Sequence, residues 1–117
     1  MSYMLLIVED PAQRGTRTKA QGEAVYQRMV DFSRELESEG VLLGVESLTS
    51  QRDAARVKVR GGKAQVLDGP FAEAKEMIGG FYLLNCDSRE QAVAIAGRCP
   101  ASEWATVEVR AVGPCFM

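Results

Sequence analysis

An α+β fold is predicted by three features of this 117-residue chain. Two short runs, Tyr3 to Val8 and Phe81 to Cys86, are apolar at nearly every position; two longer segments carry helical stripes; and Gly61-Gly62 separates two alternating segments. A strand that is apolar on both faces belongs in the middle of a covered sheet, whereas a stripe at steps of three and four belongs to a helix lying on one.

Taken in order, Tyr3 to Val8 is the first strand. The polar stretch Glu9 to Gly22, broken by Pro11 and Gly15 and carrying Arg14, Arg17 and Lys19, reads as a mobile loop. Between Glu23 and Glu39, Val25, Met29, Phe32 and Leu36 make one apolar stripe opposite Gln27, Arg28, Asp31, Arg34 and Glu35, and Gly40 stops the helix. Val41 to Leu48 reads as a strand and Thr49 to Ala54 as a polar connection. Val57 to Arg60 and Lys63 to Leu67 flank the two glycines as a primed hairpin, with Val59 opposite Ala64 and Val57 opposite Val66. Its other face gathers Arg56, Lys58, Arg60, Lys63 and Gln65, a pattern that protects an edge strand from further pairing. Gly79-Gly80 marks a bulge or a close backbone approach at the start of the Phe81 strand. Ser88 and Gln91 have capping-box spacing before a stripe of Ala92, Ile95, Ala96 and Cys99, which Pro100 closes. Thr106 to Val112 alternates as the last strand.

The order is β-α-β-β-α-β with an extra β-hairpin, the ferredoxin-like plan, whose first and third main strands lie centrally with both helices on one face. The uncovered sheet face would then be broadly apolar, which predicts a homodimer packed face to face. A single domain spanning 1–117 is expected, since a chain of this length buries roughly two-thirds of its unfolded surface around one core.

Composition narrows the chemistry. Fourteen Lys and Arg against sixteen Asp and Glu, a net charge of -2, give no electrostatic case for nucleic acid. Met4 to Val8 is too short to span a membrane, and a cytoplasmic address with no cofactor is expected. The three cysteines, Cys86, Cys99 and Cys115, lack Cys-x-x-Cys spacing and read as reduced thiols. No histidine is present, so histidine-based triads and histidine-ligated metals are excluded, and no metal site is expected.

The segment "DGPFAEAKE" concentrates the remaining candidates. Asp68, Gly69 and Pro70 are turn residues, Asp68 fitting an Asx turn, and Phe71 fits an apolar plug. The functional reading brings Asp68, Glu73 and Lys75 to the rim of a cavity between the sheet and a partner, with Glu46 on an adjacent strand. Lys75 would hold an anionic or carbonyl ligand there, and Asp68 or Glu73 would move a proton. Gly69, Pro70 and Phe71 would border that ligand, and Arg14 and Arg17 could close over it as an anion clamp.

"DGPFAEAKEMIGGFY", with "YMLLIVED" at 3–10, "EGVLLGVESL" at 39–48, "VKVRGGKAQVLDGPF" at 57–71 and "VEVRAV" at 107–112, resembles the DGPF proteins of the YCII-related superfamily. Ala74 departs from that pattern, where threonine is usual. The resemblance implies a dimeric α+β barrel, and a regulatory setting beside sigma factors of the extracytoplasmic-function type. It implies no settled activity: the histidine and aspartate pair proposed as an active site in other YCII-related proteins has no histidine here. Two functions stay open, acid-base chemistry on a small molecule and a non-catalytic sensor or regulator.

Overall fold

The computed structural model describes residues 1–117. Six strands are β1 (Ser2–Glu9), β2 (Leu42–Ser47), β3 (Ala55–Arg60), β4 (Lys63–Asp68), β5 (Met77–Asn85) and β6 (Thr106–Ala111). The helices are α1 (Lys19–Ser38) and α2 (Arg89–Arg98). The main sheet has the order β2-β5-β1-β6 with every neighbour antiparallel. Its two central strands are the two whose sequences are apolar on both faces. The arrangement is α+β and consistent with a ferredoxin-like fold.

Strand β1 alternates buried and half-buried along its whole length. Tyr3, Leu5 and Ile7 join Tyr82 and Leu84 of β5 beneath Phe32 and Leu36 of α1 and Ala92, Ile95 and Ala96 of α2, forming one core cluster. The Phe32 and Tyr82 rings meet edge to face with centroids 5.3 Å apart, and the Tyr82 hydroxyl donates to the Met29 carbonyl at 2.7 Å. That bond ties α1 to the sheet at a buried point, where an unpartnered hydroxyl would cost about 1–3 kcal/mol.

Neither helix covers the opposite sheet face, whose apolar side chains are half-buried. Strand register puts Leu6 across from Phe81, Met4 across from Leu83 and Glu46 across from Phe81, so these side chains share that face. Only 18 residues are buried, and the body is a slab 46 × 41 × 18 Å with a radius of gyration of 16.0 Å, where about 13 Å is usual for this length.

Helix α1 begins earlier than the apolar stripe indicates. Thr18 accepts from the Gln21 backbone at 3.1 Å and Gln21 Oε1 accepts from the Thr18 backbone at 2.9 Å, a complete capping box. A 3-10 turn over Arg14–Thr16 precedes it. The polar stretch predicted as mobile is thus ordered structure, held by its 3-10 turn and by the Arg14 side chain bonded to Glu9.

The hairpin register is as predicted, Val59 to Ala64 and Val57 to Val66, with Gly61 and Gly62 at φ 57° and 74°. It does not extend the main sheet, however: β3 and β4 form a separate two-stranded sheet whose residues are all exposed. Val57 and Val66 are more than 60 % exposed. No helix is long and apolar enough to cross a membrane.

Cys86 and Cys99 are buried and Cys115 is exposed. Burial pushes both inner thiols above their ordinary 9.0, at Cys86 with help from the Asp87 charge. Burial likewise raises Tyr82 above 10.0, with the neighbouring Cys99 adding to it. A group whose folded value is raised holds its proton more tightly when folded, so its contribution is present below the unfolded value and lost as pH climbs past it. Stability is therefore expected to fall from about pH 9 upward. A disulfide reagent applied to the native protein at pH 8 should titrate one thiol fast and two only on unfolding; three fast thiols would contradict this burial.

Candidate functional site

Between α1 and the helix-bearing side of the sheet lies a cavity of about 720 Å³. Its floor comes from β1 and β5, where Ile7, Gly79, Gly80 and Tyr82 face it, and its wall from Gly22, Val25, Tyr26, Met29 and Ser33 along α1. Arg14, Arg17 and Trp104 border it as well. A hollow of this size, half apolar with a few convergent polar groups, has the dimensions of a small-molecule site.

One wall of the cavity is held by a charge pair. Glu9 ends β1 on the buried side and is 8 % exposed. Arg14 grips its carboxylate at both oxygens, Nη2 to Oε1 at 2.8 Å and Nε to Oε2 at 3.1 Å, and its Nη1 donates to the Leu48 carbonyl at 2.8 Å. A bidentate arginine is the arrangement that offsets the desolvation of a buried carboxylate.

The carboxylate fits because β5 has no side chain beneath it. Register shifts where Ile7 faces Gly80 and Val8 faces Ile78, which leaves Gly79 as the extra residue of a bulge. A Cβ on Gly79 would collide with Glu9 Oε1, and one on Gly80 would lie 2.8 Å from the Glu46 carbonyl oxygen. The glycine pair read as a bulge or close approach is both. Arg14 thereby pins the segment between β1 and α1 onto the sheet, and Gln13 Nε2 adds a bond to the Trp104 carbonyl at 2.9 Å.

The other predicted site residues separate into two groups. Arg14 and Arg17 border the cavity, Arg14 saturated by Glu9 and Arg17 in no ion pair, its guanidinium 5.9 Å from the Trp104 ring centroid. Glu46 also borders it, yet its register opposite Phe81 sends the carboxylate to the open sheet face. Asp68, Gly69, Pro70, Phe71, Glu73 and Lys75 do not line this cavity.

Asp68 closes β4 opposite Ala55, and its carboxylate accepts no hydrogen bond, so the Asx turn is not formed. The turn is held through backbone instead: the Gly69 amide donates to the Ala54 carbonyl at 2.7 Å. A Cβ on Gly69 would strike the Gln51 carbonyl, and the Gly69-Pro70 peptide is cis. Phe71 is the plug expected of it, 6 % exposed, with the Arg56 guanidinium 3.8 Å from its ring centroid. Glu73, Lys75 and Glu76 are exposed and join no ion pair with Asp68 or with one another.

Glu9, Ser33 and Trp104 were not singled out by sequence. Gly22, Val25, Tyr26, Met29 and Ser33 recur at helical spacing, but a small residue on an apolar stripe reads as weak packing until the helix is seen to stand off the sheet. No three His, Cys, Asp or Glu side chains converge as a metal site would require.

The fold and cavity define a small α+β protein with a ligand-sized pocket enclosed by its own helix and sheet. The YCII-related domain family matches residues 1–115, and the chain belongs to that family. It is similar to an uncharacterized protein of Rhizobium meliloti (strain 1021), 33 % identical over 96 residues that cover 82 % of this chain and 77 % of the relative.

Proposed function

We propose that this protein binds a small organic molecule in the cavity between α1 and the sheet, and that it acts as a homodimer. The observation that carries the binding reading is the cavity itself: about 720 Å³, enclosed on two sides, with its one buried carboxylate already neutralised by Arg14. Binding is favoured over catalysis because the buried proton-bearing groups of the cavity are committed. Glu9 is held in its ion pair, and the Tyr82 hydroxyl donates to a backbone carbonyl with its pKa raised above 10.0. A thermal-shift screen over small carboxylic acids, lactones and phenols tests this: saturable stabilisation without turnover supports a binding protein, and turnover of a stabilising compound contradicts it.

The dimer reading is supported by the sheet face away from the helices, where Met4, Leu6, Phe81 and Leu83 stay half-buried, and by a hairpin exposed on both sides. Two sheets packed through such faces make the α+β barrel that the family resemblance implies. Sedimentation at micromolar concentration should give twice the 12.8 kDa of one chain; a stable monomer counts against it.

A second reading keeps acid-base chemistry at the turn after β4. Buried Phe71 and Met77 pin the two ends of the segment carrying Glu73 and Lys75. Next to it the open face has a shallow hollow of about 330 Å³ lined by Val8, Arg56, Glu76 and Ile78. This reading needs a partner subunit that covers the hollow and extends over the turn to desolvate Asp68, Glu73 and Lys75, none of which lines the hollow itself. Unchanged turnover in Asp68→Asn and Lys75→Ala would remove this reading. A ligand-responsive regulator, including one working beside a sigma factor, is the form of binding function that needs no chemistry at either place.

A further inference from the structure

Three cationic side chains border the cavity, and their states differ. Arg14 is consumed by Glu9 and the Leu48 carbonyl. Lys19 points to solvent with its side chain 91 % exposed, 3.9 Å from Glu23. Arg17 is half-buried, has no ion pair, and stands over Trp104, whose ring also receives Arg28 with its guanidinium 5.4 Å from the centroid. Arg28 is itself paired with Glu103. Arg17 therefore carries the uncompensated charge at this end of the cavity.

The surroundings reinforce that charge. Thr18 caps α1 immediately beside Arg17, and the first turn of the helix has no carboxylate, so its positive end is not neutralised within the chain. The lining supplies aromatic and aliphatic surface through Trp104, Tyr26, Val25 and Met29, beside the polar Ser33. An unpaired guanidinium over an apolar pocket recognises a flat or aliphatic body ending in an anion, because the body replaces water on the apolar wall while the guanidinium gives two parallel N-H donors.

We infer that the cavity selects organic carboxylates with an aromatic or aliphatic body, and that Arg17 is the residue that reads the carboxylate. This rests on the binding reading above and specifies its ligand class.

The test uses three probes of one shape and different charge: 3-phenylpropionate, 3-phenylpropanamide and 3-phenylpropylamine. Binding is followed by calorimetry and by the emission of Trp104, the single tryptophan of the chain. The acid should bind about ten- to a hundredfold more tightly than the amide, the range of a charge-assisted hydrogen bond, with the amine weakest. Arg17→Gln should erase the preference of acid over amide while leaving amide binding in place, and Arg17→Lys should keep part of it. Equal binding of acid and amide, or an undiminished preference in Arg17→Gln, overturns the inference and leaves the cavity reading standing. Failure of all three probes to bind overturns both.

Discussion

Replacing Gly79 with alanine is expected to cost about 3 kcal/mol or more, lowering the melting temperature by roughly 10 °C. The new methyl would occupy the space of Glu9 Oε1 and would press on Arg14 as well, whose Nη2 lies 2.9 Å from the same point. The carboxylate cannot move outward without leaving its arginine, and a buried carboxylate without a partner is among the most destabilising defects. Arg14→Ala should act through the same pair, by about 2–3 kcal/mol; the lower end applies because the Arg14 side chain is 31 % exposed. Denaturant melts of Gly79→Ala, Glu9→Ala and the double variant separate the causes. Removing Glu9 should recover part of the Gly79→Ala loss, since the two act on one site. A Gly79→Ala protein as stable as the wild type would contradict the description of the bulge.

Leu36→Ala should cost about 3 kcal/mol, again roughly 10 °C. Leu36 is fully buried in the core cluster that α1 shares with the sheet and α2, so truncation leaves a hole in close-packed surroundings. Val57→Ala supplies the comparison. At 65 % exposure it should change the stability of the single chain by less than about 0.5 kcal/mol. A loss at Val57 close to that at Leu36 would mean that the hairpin is covered by another surface.

The sheet was legible because two-sided burial leaves a strong trace. Tyr3 to Val8 and Phe81 to Cys86 are apolar at nearly every position, and these became β1 and most of β5. Met77 and Ile78 were missed at the start of β5 because Gly79 and Gly80 look like a terminus, whereas here they are a bulge inside the strand. The beginning of α1 was missed for a similar reason: Gly22, a poor helix residue, sits in its first turns, although the Thr18 and Gln21 pair was there to be read as a capping box.

The candidate site was less legible. Turn chemistry identified Asp68 to Phe71 as a bend ending in a plug, and Gly69 and Phe71 behave so. Which cavity that bend would adjoin depends on where the hairpin sits, and hairpin register says nothing about docking. Arg14 and Arg17 were named together as a clamp because both are cations in one loop. Their different states follow from Glu9, whose burial needs a glycine seventy residues away to make room. No local pattern encodes that pairing.

If ligands occupy the space between α1 and the sheet, as proposed, Gly22 gives direct access to it. Gly22 lines the cavity within α1, and a Cβ built there meets nothing within 4 Å. Gly22→Phe should therefore fold normally, offsetting any new strain by about 0.5 kcal/mol of regained helix propensity, while its ring fills the cavity. The measurement is the melting shift produced by 3-phenylpropionate in wild type and in Gly22→Phe. A saturable shift in the wild type that disappears in a well-folded Gly22→Phe is the predicted result; the same shift in both proteins would place the binding site elsewhere and contradict the account.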